Sequence, residues 1–195
     1  MSNHGAHLQV RPLPLDGAFV VEPFIHADER GSFVKPFHAD QLAEAGLRFE
    51  LREEFYSVSQ RGVLRGMHFQ TPPFAHQKLV SCIAGRVCDV LVDLRRDSET
   101  FGRSCAVELT GERPQMVWVP PGFAHGFVSL ADDSYVTYKT DREHAPQQDC
   151  GIRWDSFGFD WPLTSEELII SPRDRTHPAL AEFASPFVVG RGKVA

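Results

Sequence analysis

The strand-like run GVLRGMHFQ, residues 62–70, is mostly apolar but contains Arg65 and His68. An imidazole accepts and releases protons near neutral pH, and a guanidinium binds anions. Strict strand alternation would send these two side chains to opposite faces of a sheet. Gly66 between them permits a β-bulge, which would bring both side chains into one cavity. His68 is therefore the first candidate for a proton-transferring residue.

Two further residues support acid–base chemistry. His125 follows the rigid Pro-Pro-Gly turn of PPGFAHGF, and Tyr138 in YVTYKT supplies a phenol that can donate a proton. A metal site in a small β-barrel typically needs two histidines close together on one strand. The position two after His68 is Gln70, and His76 lacks a supporting carboxylate at ligand spacing. An acid–base pocket without a metal or other cofactor is the favoured interpretation.

A third set of polar residues lies in KLVSCIAGRVCDVLVDL, which we interpret as two strands joined by a turn at Ala84 and Gly85. In such a hairpin Lys78, Asp89 and Asp93 would share one face, with Lys78 diagonal to both carboxylates. This face is either the floor of a polar pocket, with Asp89 as a substrate-binding residue, or a surface edge with solvated charges. The hairpin alone does not separate the two.

The elements that must position these residues are short strands. Fourteen prolines and fifteen glycines divide the chain into short segments, and one helix is predicted over residues 38–47, ending at Gly46. The pattern predicts an all-β jelly roll in a single domain, residues 1–195, with loose tails at about 1–7 and 185–195. The strands are predicted in GAFVVEPF, REEFYSVSQ, GVLRGMHFQ, KLVSCIAGRVCDVLVDL, CAVELT, QMVWVP, GFAHGFVSL and SYVTYKT.

Composition excludes several classes of function. A formal net charge of −6 argues against a protein that binds nucleic acid through a basic surface. The sequence has no apolar run long enough to span a bilayer, and MSNHGAHLQV lacks the apolar core of a signal peptide. The four cysteines have no CxxC spacing and are expected to be reduced thiols. These features predict a cytoplasmic protein.

Six segments, in order and spacing, resemble the dTDP-4-dehydrorhamnose 3,5-epimerase family of cupin jelly rolls. They are DERGSF, GVLRGMHFQTPP, KLVSCIAGRVCDVLVDLR, TFG, VPPGFAHGFVSL and ISPRD, within about residues 11–180. The resemblance implies metal-free epimerisation of a nucleoside-diphosphate 4-keto-6-deoxyhexose at C3, C5 or both. A C4 ketone acidifies the neighbouring C–H bonds, so removal of a proton gives an enolate, and reprotonation on the opposite face inverts the carbon.

The resemblance also implies roles for individual residues. His68 corresponds to the base, Asp174 to the carboxylate that orients it, Tyr138 to the acid and Lys78 to the group that stabilises the enolate oxygen. The substrate ligands that it implies are Arg30, Arg65, His125, Asp149 and Arg173. It further implies a homodimer in which N-terminal strands are exchanged and each pocket is completed by the partner.

Four positions depart from the family pattern. Lys35 replaces a glutamate, Glu53 and Phe55 replace Gln-x-Asn, and His144 replaces a tyrosine that stacks on thymine. All four are predicted substrate-binding positions. Because Glu53 would accept a hydrogen bond from an exocyclic amine, we predict CDP or GDP as the carrier, while a looser thymidine site stays open.

Other functions fit parts of the sequence. A sugar 3,4-ketoisomerase also starts from a 4-keto sugar, but GVLRGMHFQ fits it less well. A non-catalytic sugar-binding jelly roll would keep the arginines without needing both a base and an acid. A metal-dependent cupin would need the missing histidine pair.

Overall fold

The computed structural model describes residues 7–190, which contain fourteen strands, two short α-helices and one 3₁₀ helix. The strands are β1 Gln9–Pro12, β2 Phe19–Glu22, β3 Phe24–Asp28, β4 Gly31–Lys35, β5 Glu53–Ser59, β6 Val63–Gln70, β7 Lys78–Ala84, β8 Arg86–Asp93, β9 Ser104–Thr110, β10 Met116–Val119, β11 Phe123–Ser129, β12 Ser134–Thr140, β13 Asp149–Gly151 and β14 Ile169–Ile170. The helices are α1 Ala39–Glu44, α2 Pro172–Arg175 and the 3₁₀ helix Leu180–Glu182. The all-β prediction and the helix that ends before Gly46 are confirmed.

The strands form two large sheets and one separate hairpin. The first sheet has the order β1-β2-β10-β7-β12-β5, and the second has the order β13-β6-β11-β8-β9, with β14 pairing in parallel with β6. Strands β3 and β4 pair only with each other. Alternate residues of the two large sheets meet in a shared core that includes Val80 and Val136 of the first sheet and Leu91 and Phe127 of the second. The strands therefore bury one face of each sheet against the other, as strand periodicity predicts.

The predicted hairpin of β7 and β8 is wrong. Strand β7 pairs with β10 and β12, whereas β8 pairs with β9 and β11, so Gly85 carries the chain from one sheet to the other. Asp93 is not beside Lys78 but forms a buried ion pair with Arg95 at 2.7 Å. A turn signal predicts that the chain reverses, and it does not predict which strands then pair.

The predicted loose C-terminal tail begins too early. Ser185 and Phe187 are buried, and Phe187 packs against Phe69 on the outer face of the second sheet. This segment is held because it covers apolar side chains of that sheet. The remainder of the two predicted tails, residues 1–6 and 191–195, lies outside the described residues.

Candidate active site

A cavity of about 830 Å³ opens between the two large sheets. Both sheets contribute to its wall, β6 and β11 from the second and β5, β7 and β12 from the first. Ten of the fourteen site residues that the sequence predicts line it, namely Phe55, Arg65, His68, Lys78, His125, Tyr138, His144, Asp149, Arg173 and Asp174.

A β-bulge brings Arg65 and His68 to the same cavity. His68 pairs with His125 and Arg65 pairs with Phe127, so two residues of β6 face Gly126 alone. Gly66 has a φ of +150°, and a Cβ atom there would lie 2.7 Å from the Cα of Gly126. Glycine is therefore required at this position, and the bulge that the sequence predicted is confirmed.

His68 is paired with Asp174, which lies 106 residues later in the chain. Asp174 belongs to α2, where the Ser171 hydroxyl accepts a hydrogen bond from the backbone N–H of Asp174 at 3.1 Å and Pro172 begins the first turn. This short capped helix holds the carboxylate 2.8 Å from Nε2 of His68, and its second oxygen accepts from the N–H of Gly66 at 3.2 Å.

The pair has a defined proton arrangement. An ionised carboxylate only accepts hydrogen bonds, so Nε2 of His68 carries the proton and Nδ1 is left as the proton acceptor. Burial lowers the pKa of His68, and Asp174 offsets part of that effect. Burial opposes the charge on Asp174, but its contacts with His177, His68 and the N–H of Gly66 hold the pKa of this carboxyl well below its usual range. At neutral pH the pair is a neutral imidazole beside a carboxylate.

The facing wall carries Tyr138 and Lys78 from the first sheet. Burial raises the pKa of Tyr138, so the phenol keeps its proton, and its ring stacks on Phe55 at 4.8 Å. Lys78 donates a hydrogen bond from Nζ to the backbone oxygen of His68 at 3.1 Å. Burial lowers the pKa of Lys78 to about 8, against the attraction of Asp149 and Asp89. A proton donor of the first sheet therefore faces the basic histidine, and a cation lies beside the backbone of that histidine.

Basic groups lie at two further places on the wall. Arg65 donates to the Ser59 hydroxyl at 3.1 Å, and Arg173 forms an ion pair with Asp149 at 2.8 Å. His144 also contacts Asp149, at 3.2 Å. Guanidinium groups in such positions suit a phosphate-bearing ligand.

Four predicted site residues do not line the cavity. Asp89 lies behind His125 and binds its Nε2 at 2.8 Å, and Glu53 accepts a hydrogen bond from the backbone N–H of His144 at 3.1 Å. Arg30 and Lys35 belong to the separate β3–β4 hairpin, where Arg30 forms an ion pair with Asp28 at 2.5 Å. Asp89 and Glu53 thus support residues that line the cavity.

Sequence reasoning missed several residues of the wall. Gln70 is buried, and its side chain bonds Phe74, Glu143 and Ala145, which fixes the loop beside the cavity. Burial lowers the pKa of His76 to about 3, so this wall histidine is neutral. No local pattern marks either residue; only the alternation that places Gln70 on the same face as His68 would have indicated it.

Among residues 7–190, one group of side chains that can bind metal ions lies close together. Its members are His68, Asp174 and His177, whose potential ligand atoms lie within 4.8 Å of one another. The Nε2 of His68 and an oxygen of Asp174 are already joined by a hydrogen bond. We therefore interpret His68 and Asp174 as a hydrogen-bonded pair, with Nε2 of His177 3.7 Å from the same Asp174 oxygen.

Comparison with known proteins decides the family. Residues 12–182 match the family model for dTDP-4-dehydrorhamnose 3,5-epimerase. The chain belongs to this family.

Similar family members are known from sequence and structure. The dTDP-4-dehydrorhamnose 3,5-epimerase of Methanothermobacter thermautotrophicus is 43% identical over 171 residues, covering 86% of this chain and 92% of the relative. A dTDP-6-deoxy-D-glucose-3,5-epimerase from Legionella pneumophila, in complex with dTDP-4-keto-L-rhamnose, has a TM-score of 0.86 and 37% identity, covering 90% of this chain and 94% of that one. A 3'-monoepimerase from Streptomyces bikiniensis, in complex with dTDP-quinovose, has a TM-score of 0.82 and 35% identity and covers 87% of both chains.

Family membership confirms the predicted fold and enzyme class. The protein is a sugar epimerase with a cupin-like β fold, and the alternative of a non-catalytic binding protein is not favoured. In the described part of the chain, no helix has the length and apolar character that crossing a membrane requires.

Proposed function

We propose that this epimerase inverts C3, C5 or both carbons of a dTDP-linked 4-keto-6-deoxyhexose by acid–base chemistry alone. The observation that carries the proposal is the placement of the His68–Asp174 pair and Tyr138 on opposite sheets, with the cavity between them. Inversion needs a base on one face of the sugar and an acid on the other. The two facing sheets place both groups on the wall of one cavity.

The proposed reaction has two proton transfers. His68 takes the proton from the carbon next to the C4 ketone through Nδ1, and the C–H electrons form an enolate whose oxygen is stabilised by Lys78. Tyr138 then gives its hydroxyl proton to the opposite face of that carbon. His68 ends as imidazolium and Tyr138 as phenolate, and exchange with solvent returns both to their starting states. The product therefore acquires a hydrogen derived from solvent.

We propose dTDP as the carrier, in place of the CDP or GDP that the sequence departures predicted. That prediction rested on Glu53 lying beside the nucleobase, but Glu53 does not line the cavity, and its carboxylate accepts a hydrogen bond from the backbone N–H of His144. The Legionella relative is described in complex with a dTDP sugar. Arg65 and Arg173 supply the charges that a diphosphate needs. Calorimetric titration of the four nucleoside diphosphates tests the choice, and tighter binding of CDP or GDP than of dTDP would contradict it.

Deuterium wash-in tests the chemistry directly. In D₂O, the wild-type protein should introduce deuterium at C3, C5 or both of dTDP-4-keto-6-deoxyglucose, as read by NMR, and His68→Asn should abolish wash-in at each carbon while the fold survives. Deuterium at C3 alone would assign a monoepimerase. Near-normal exchange in His68→Asn would rule out the proposed base.

We propose a homodimer in which each cavity is completed by the partner. Arg30 lies on the β3–β4 hairpin, which pairs with neither large sheet, and Phe33 of this hairpin is 59% exposed. Tyr56 and Tyr135 stack at 6.1 Å on the outer face of the first sheet and are also exposed. Exposed aromatic side chains, and a hairpin that pairs with neither large sheet, suit contact with a second copy.

We also propose a cytoplasmic location. Cys82, Cys88, Cys105 and Cys150 are all unpaired. Free thiols persist in a reducing compartment.

A further inference from the structure

His177 is a second histidine against the catalytic carboxylate, and the proposed reaction does not use it. It follows α2, and its Nε2 lies 3.7 Å from the same Asp174 oxygen that binds His68. Its ring meets the ring of His68 edge-on, with centroids 5.7 Å apart. The His177 side chain is 12% exposed, and its Nε2 is buried without a hydrogen-bond partner among the described residues.

The backbone beside His68 leaves space for this ring. Gly151 of β13 pairs directly with His68 of β6. A Cβ atom at position 151 would lie 2.5 Å from Nε2 of His177, so a side chain there would displace this ring. Three separate elements, β6, β13 and the segment after α2, thus bring two imidazoles to one carboxylate oxygen.

A carboxylate that faces two imidazoles divides its attraction between them. We propose that His177 is a positioning residue that takes up part of the charge of Asp174 and so keeps His68 in the neutral, proton-accepting form over a wider range of pH. This inference rests on the proposed function only in naming His68 as the base.

The other charged groups near His68 are Lys78 of β7 and Arg173 of α2, which both lower the pKa of His68, and Asp149 of β13, which lies close enough to interact with it. All three stay in place when His177 is replaced. Loss of His177 leaves the whole charge of Asp174 to His68, which stabilises the imidazolium. The pKa of His68 should therefore rise. As the pH falls, His68 should become protonated, and so stop acting as a base, at a higher pH than in the wild type.

Three variants separate the charge effect from packing. His177→Ala removes the ring, His177→Phe keeps a ring of similar shape against Gly151 without a nitrogen, and His177→Gln keeps an N–H donor. NMR titration of the histidine C–H signals, with the His68 signal assigned by its loss in His68→Asn, gives the pKa of His68 without any substrate. The decline of the wash-in rate at acidic pH gives the pKa of His68 during the reaction.

We expect the pKa of His68 to rise by about half a unit or more in both His177→Ala and His177→Phe, and to stay near the wild-type value in His177→Gln. Wash-in at acidic pH should fall several-fold in the first two variants and change little at pH 8. An unchanged pKa of His68 in His177→Ala and His177→Phe, or recovery by Phe but not by Gln, would overturn the inference. Absence of wash-in by the wild type would instead contradict the proposed function and leave the titration interpretable.

Discussion

Burial shifts the pKa values of three side chains in the cavity in the direction that favours the uncharged form of each. It lowers the pKa of His68 and raises that of Tyr138, and both shifts favour the proposed roles, since a base must be free of its proton and an acid must keep one. It also lowers the pKa of Lys78 to about 8, which works against a cationic role. The same burial that keeps His68 unprotonated and Tyr138 protonated therefore limits the pH range over which Lys78 is charged.

Lys78→Arg should remove the alkaline limit of the reaction. In the wild type, kcat/KM for wash-in should fall as the pH rises through about 8, because the folded-state pKa of Lys78 is depressed and its charge is lost there. Arginine stays charged in this range, so the variant should show a lower rate but no decline near pH 8. Lys139→Arg is the control, because Lys139 pairs with Glu54 outside the cavity. A decline near pH 8 in Lys78→Arg would assign it to another group.

Tyr138→Phe should separate proton removal from inversion. The enolate can still form at His68, so wash-in should persist while inversion falls by about 10²-fold or more. The stack with Phe55 keeps the ring in place without its hydroxyl. NMR of the product measures both quantities in one sample. Equal and small losses of exchange and inversion would show that Tyr138 only packs in the sheet.

The bulge between β6 and β11 is the element that converts a regular strand into part of an active site. Without it Arg65 and His68 would point to opposite sides of the second sheet, one into the cavity and one into the layer under the C-terminal segment. The bulge depends on Gly66, whose Cα faces Gly126 at a distance that excludes any side chain.

Gly66→Ala should therefore impair both stability and activity. The added Cβ would lie 2.7 Å from backbone, and we expect the free energy of unfolding to fall by about 2 kcal/mol or more, with a matching loss of wash-in. Gly46→Ala is the matched control: Gly46 also has a positive φ, of +83°, but a Cβ there meets nothing within 4 Å. It should lose only about 1 kcal/mol and keep its activity. Equal effects of the two substitutions in denaturant titrations would show that the close approach at Gly66 is unimportant.

The proposed homodimer accounts for Arg30, which the resemblance assigns to substrate binding but which lies outside the cavity of its own chain. A second copy resolves this difference if its hairpin reaches across. The exposed aromatic residues of the hairpin and of β5 and β12 then become interface residues, as Phe33, Tyr56 and Tyr135 suggest by their exposure.

Subunit complementation tests this arrangement. Arg30→Ala and His68→Asn should each be weak or inactive alone. After subunit exchange, the mixture should recover about a quarter of the wild-type rate, because half of the dimers would be mixed and each mixed dimer would have one intact site. Sedimentation at micromolar concentration checks that the protein is a dimer. No recovery from a mixture shown to exchange subunits would place Arg30 outside the partner's site.

Local patterns in the sequence were enough to predict strands β2 and β5 to β12, the end of α1 and the bulge at Gly66, because period-two alternation and glycine act through the backbone of a few neighbouring residues. The role of Asp174 came only from the family resemblance, since nothing local links it to a histidine 106 residues away. Both kinds of information named side chains that the structure then brings into one cavity.

Long-range packing determined the remaining features. Whether β7 pairs with β8 depends on how two whole sheets bury their inner faces, and a turn at Gly85 is compatible with either outcome. Glu53 binds the backbone N–H of His144 and does not line the cavity, and His177 meets Asp174 because β13 leaves space at Gly151. Such contacts join residues whose separation along the chain carries no signal, so only the packed arrangement of the sheets reveals them.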